Sequence, residues 1–160
     1  SPLAYLGTTW TQLNGFSTLT RTNLPYSDGS ASTIGFTLAA TSGQGLFSST
    51  NGISPLTMFA EEVNGYQGNL TLTINGLQSG QLYDIYLPAA FDGYGAILTL
   101  GTQTQTTTGV ASGSSFVSGV NYVEFTGITP VNNSIVITLA PNNSGGFSIL
   151  NGFQITREGP

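Results

Sequence analysis

Short runs of alternating apolar and polar residues recur along the chain, each closed by turn-forming residues. Asn69-Leu-Thr-Leu-Thr-Ile74 is the clearest. In an extended strand Leu70, Leu72 and Ile74 share one face, and Thr71 and Thr73 share the other. Asn75-Gly76 turns the chain, and the Gly80 that follows implies a longer loop than a two-residue hairpin. Further strands are expected at Leu82–Leu87 (stopped by Pro88), Ala96–Leu100, Asn121–Phe125, Ser134–Leu139 (stopped by Pro141) and Phe147–Ile155, the last bent or bulged at Asn151-Gly152. Thr33–Leu38 and Thr9–Leu13 bring the set to about eight. The polar run Thr102–Thr108 reads as a solvated strand edge, with a loop as the alternative. One short helix is expected, with Ser54 as cap, Pro55 at its first position, and Leu56, Phe59 and Val63 facing the core. Gly65, free to take positive φ, would end it. The pattern is that of an all-β antiparallel sandwich in a single domain over 1–160. Its core is expected to hold Leu70, Leu72, Ile74, Ile85, Val123, Phe125, Ile135, Ile137, Leu150 and Ile155.

Composition narrows the chemistry. Of 160 residues only nine are charged, two Arg against seven Asp and Glu, for a net charge of -5. With no Lys, His or Cys, the chain cannot build zinc sites on His or Cys, Ser-His-Asp or Cys-His nucleophiles, or lysine Schiff bases. Two cations cannot neutralise a row of phosphates, so nucleic acid is excluded as a partner. No run of about 18 apolar residues offers a membrane span. The chain is not of disordered type, because 39% of its residues are hydrophobic and 11% aromatic. Ser and Thr together number 40, a polar but uncharged surface that suits an extracellular or cell-surface location. A start at Ser1-Pro2 suits a mature chain whose secretion signal has been removed.

Several pieces in order carry a resemblance: Trp10 with Leu13-Asn14, Tyr26–Thr33, Leu72–Leu77 leading into Gly80–Tyr86, Gly119–Phe125, Ser134–Thr138, and Ile149-Leu-Asn-Gly-Phe-Gln-Ile155. The chain resembles the galactose-binding-like jelly-roll domains of bacterial surface proteins with C-terminal sorting signals. The resemblance implies a jelly-roll sandwich outside the cytoplasm and no catalytic residue. Sugar binding by relatives of that fold is analogy alone.

Candidate sites follow from residue type. Exposed aromatics stack on pyranose faces while Asn, Asp and Gln bond hydroxyls. Phe91-Asp92-Gly93-Tyr94 is the best such loop, followed by Tyr66-Gln67. Asp28 and Asp92, each before Gly, suit turns; one structural calcium at such a loop is the alternative, and no other cofactor is expected. Glu61-Glu62 and Asp84 are the remaining carboxylates weighed for catalysis. Adjacent glutamates diverge on a helix, and Asp84 reads as a hydrogen-bonded sheet residue or the partner of Arg21 or Arg157. Asn69, Asn132 and Asn142 begin glycosylation sequons.

Edge strands are usually protected by charge, above all Lys, and this chain has none. Unprotected edges invite pairing between copies. Ser1–Leu6, with Leu3, Tyr5 and Leu6 as its apolar residues, is a candidate exchanged arm, against pairing within its own domain. The sequence therefore points to an extracellular, non-catalytic structural or adhesive subunit that assembles with itself or with matrix. The alternative is a carbohydrate-binding module for a neutral glycan.

Overall fold

In a computed structural model of the protein, the residues described are 18–41, 46–49, 62–110 and 115–159, the side chains of 46–49 and 62–63 aside. The expected strand Thr9–Leu13, the arm at Ser1–Leu6 with Leu3, Tyr5 and Leu6, and the helix start at Ser54–Phe59 lie outside them. The described residues form thirteen strands: β1 (Thr18–Arg21), β2 (Gly35–Ala40), β3 (Leu46–Ser49), β4 (Glu62–Tyr66), β5 (Leu70–Asn75), β6 (Tyr83–Pro88), β7 (Ala90–Phe91), β8 (Tyr94–Leu100), β9 (Gln103–Thr106), β10 (Tyr122–Ile128), β11 (Ile135–Asn142), β12 (Phe147–Leu150) and β13 (Gln154–Arg157). Every strand pair is antiparallel.

The large sheet runs β1-β2-β5-β11-β8-β7, with β9 also on β8. Two three-stranded sheets, β10-β6-β13 and β12-β4-β3, complete the sandwich. The register follows the alternation. Leu70, Leu72 and Ile74 are fully buried, and the threonines between them are half-exposed. Ile135, Ile137 and Leu139 of β11 stand beside them on the same face. Ile85 and Leu87 of β6 and Val123 and Phe125 of β10 belong to the same apolar cluster. Of the expected core, only Ile155 is half-buried rather than buried.

No helix occurs among the described residues, and the expected end of one is overturned. Glu62–Tyr66 is a strand held on both sides, by β3 and by β12. Gly65 is small for a different reason than expected: a Cβ there would lie 2.9 Å from the Leu70 Cδ2. Pro141 does not stop β11 either, because β5 ends opposite Leu139 and position 141 has a neighbour only on the β8 side. The run 103–106 is a strand, as its threonines suggested. Asn75-Gly76 leaves the large sheet altogether rather than closing a hairpin; Leu77 is buried beyond it and β6 lies in the other layer.

Candidate functional site

Three connections meet at one end of the sandwich: the turn from β4 to β5, the β7–β8 hairpin and the turn from β11 to β12. Register requires this, since Gly95 pairs with Asn142, Ala40 with Leu70, and Phe147 with Tyr66. Each connection presents one ring. Phe147 packs on Tyr66 with centroids 5.1 Å apart, and on Tyr94 at 5.2 Å. All three are half-exposed. The interplanar angles of 31° and 59° turn successive rings, so the cluster is a curved surface rather than a flat one. Phe91, half-buried, faces Tyr94 across the hairpin. Two segments that the sequence offered as separate candidates thus come together in one aromatic cluster, joined by Phe147.

The backbone beneath is tightly specified. Asp92 and Gly93, at φ 48° and 87°, make the two-residue turn, the type I′ geometry that Asp-Gly favours. The Gly93 N–H donates to the Gly109 carbonyl at 2.9 Å. Gln67 is held at φ 54°, and its N–H donates to the Gly146 carbonyl at 2.8 Å. Its side-chain amide reaches the Tyr66 hydroxyl at 3.5 Å. Asn143 acts as a clamp. Its Nδ2 donates to the carbonyls of Gly95 (3.0 Å) and Phe147 (2.7 Å), and its Oδ1 accepts the Phe147 N–H at 3.0 Å. Gly145 lets the rings lie on the chain: a Cβ there would sit 2.8 Å from two Phe147 ring carbons and 3.0 Å from Tyr94 Cε1. Phe147 and Asn143 escaped the sequence reading, although the turn-rich Asn142-Asn-Ser-Gly-Gly146 before an aromatic was the available signal.

The structure separates the other candidates. Asp28 lies in the β1–β2 connection, at the end of the large sheet where Gly35 pairs with Asn75, opposite the end that carries Asp92. Its Oδ1 accepts from the Ser30 hydroxyl (2.6 Å) and N–H (2.9 Å), and these bonds hold its carboxyl below the usual range. One calcium cannot bridge the two aspartates. Among the described residues no group of three or more acidic side chains could hold a metal ion. Asn69 is half-buried, Asn132 is exposed in a turn at φ 51°, and the Asn142 Nδ2 donates to the Thr107 carbonyl at 2.8 Å.

The carboxylates do not converge on the aromatic site. Asp84 Oδ1 accepts the Gly127 N–H at 3.0 Å. Arg21 turns back to the Thr20 carbonyl (2.9 Å) and Arg157 to the Gln78 side chain (3.5 Å), so neither is its partner. Glu124 stands opposite Tyr86 on the β10–β6 pair. Burial first, then the hydrogen bond and charge of Glu124, push the Tyr86 phenol up to about 12. Glu61 lies outside the described residues, and Glu62 belongs to β4.

No known family profile matches the chain, and no curated protein sequence matches it significantly. One solved structure is similar in backbone course: a carbohydrate-binding module, TmCBM61, in complex with β-1,4-galactotriose, at 11% identity and a TM-score of 0.41, over 77% of this chain and 88% of that one.

Proposed function

We propose that the chain is a non-catalytic carbohydrate-binding domain, working outside the cell, that holds a neutral glycan at the Tyr66–Phe147–Tyr94 cluster. The single observation that supports this is the convergence of three half-exposed rings, from the ends of β4, β8 and β12, at one end of the sandwich. Aromatic faces are electron-rich and pack against the C–H faces of sugar rings. Exposed Gln67 and Asp92 flank them as hydroxyl partners. Neither arginine stands at this end to recruit a charged sugar, since Arg21 and Arg157 contact Thr20 and Gln78. Preorganisation by Asn143 and Gly145 limits the entropy lost on binding.

The test is calorimetric titration with a panel of neutral oligosaccharides, followed by Tyr94→Ala. The variant should lose at least about tenfold in affinity, about 1.4 kcal/mol, with its melting temperature nearly unchanged. Absence of binding to every neutral glycan, or loss of fold together with loss of binding, would reject the assignment.

A further inference from the structure

The outer face of the large sheet carries an uninterrupted row across six strands. Thr18 pairs with Ala39, Ala39 with Thr71, Thr71 with Thr138, Thr138 with Thr99, and Thr99 with Thr104. A parallel row runs Thr20, Thr37, Thr73 and Val136. Beyond the first row Ala140 meets Ile97, which meets Thr106. No charged residue occupies any of these positions. Hydroxyl pairs fix parts of the lattice, Thr20 with Thr37 and Thr99 with Thr104, each at 3.2 Å. Val136, on the interior strand β11, is 52% exposed.

We infer that this threonine face is an interface between two copies of the chain, packed sheet on sheet. Three arguments favour a second copy over other partners. The first is charge. Each molecule carries a net charge of -5, yet two of these faces meet without placing like charges together. The second is shape. A sheet of this width twists by roughly 20° per strand, so it fits another twisted sheet, as in any sandwich, better than the plane of a crystalline polysaccharide or of ice. The third is extent. The six strands, of four to eight residues each, are staggered; at about 4.8 Å between strands and 3.3 Å per residue they present a face of roughly 550 Å². Two such faces would lose roughly 1,100 Å² together, above the ~1,000 Å² that a specific interface needs. A two-fold axis near β11 puts the same patch on both sides, brings Val136 close to its own symmetry mate, and packs threonine methyls and hydroxyls between them. The inference is independent of the glycan site, which lies at the end of the sandwich.

Sedimentation velocity over a concentration series on the full chain tests it. The wild type should form a concentration-dependent dimer. Val136→Lys, exposed and therefore tolerated by the fold, should weaken dimerisation at least about tenfold while melting as the wild type does. Thr99→Lys should do the same from the neighbouring row. Tyr94→Ala should dimerise normally. A chain that stays monomeric at the highest attainable concentration would overturn the inference. So would a dimer indifferent to both lysines, which would move the contact to another surface, or a monomer retained on crystalline cellulose or on ice through Val136, which would make the face a flat-lattice binder.

Discussion

Tyr86 is a buried phenol that faces the Glu124 carboxylate across two paired strands. The burden falls on its ionised form, which burial desolvates and Glu124 repels. An unfolded tyrosine ionises near 10. Between that pH and about 12 the unfolded chain has released a proton that the folded chain retains. The stability from keeping Tyr86 neutral is therefore complete below pH ~10 and is lost as pH rises through about 12. Denaturant titrations at pH 9, 10 and 11, values set beside the reference ionisation near 10, should show falling stability in the wild type and a flatter profile in Tyr86→Phe. Equal slopes in both proteins would remove Tyr86 as the cause. Sequence alternation placed Asp84 and Tyr86 on one face, which is how β6 lies, but not their environments: Asp84 meets the Gly127 N–H, and Tyr86 is buried on the outer side of its sheet. Gly65 shows the same gap. A glycine at the end of a helical pattern and a glycine under a leucine look alike in one dimension, because the contact with Leu70 depends on how β4 folds onto β5.

At the scale of elements, strands that bury one apolar face were legible, whereas β4 was not. β5, β8, β10 and β11 each bury one apolar face, so their hydropathy pattern states their geometry. β4, Glu-Val-Asn-Gly-Tyr, lacks that signal and takes its strand form from β3 and β12 on either side. The edges carry a related detail. Without lysines, the chain covers edge and turn carbonyls with other side chains: Arg21 on Thr20, Gln105 on Glu124, Gln81 on Glu158 and Asn142 on Thr107. The Gln105 bond stitches β9 of one layer to β10 of the other. Asn143 serves the aromatic turn in the same way, and its three bonds set the measurable expectation. Asn143→Ala should destabilise the fold by about 1–3 kcal/mol, since the Phe147 N–H and two carbonyls lose their partner. It should also weaken glycan binding more than Gln105→Ala, whose bond lies away from the rings. Equal effects of the two changes on binding would show that the turn needs no clamp.

At the scale of the whole molecule, the layered architecture was readable because one period-2 pattern governs most of the chain, whereas the aromatic end was not. Tyr66, Tyr94 and Phe147 are far apart in sequence, and only the pairing of β4 with β12 and the return of β11 beside β8 bring them together. The same connectivity makes the core continuous. One apolar cluster holds Leu72 of the large sheet together with Val123 of the β10-β6-β13 sheet and Leu150 of β12. Neither main layer can keep its apolar face dry without the other, so the two should unfold together. Leu72→Ala, at a fully buried site, should cost about 2–5 kcal/mol through lost burial and the cavity left behind. Val123→Ala removes less volume and should cost less. Both should move one transition, with circular dichroism and tyrosine fluorescence giving the same midpoint in each variant. Two separated midpoints, with Leu72→Ala shifting one and Val123→Ala the other, would mean that the layers are independent folding units, and the continuous core would then not be what holds the aromatic end in place.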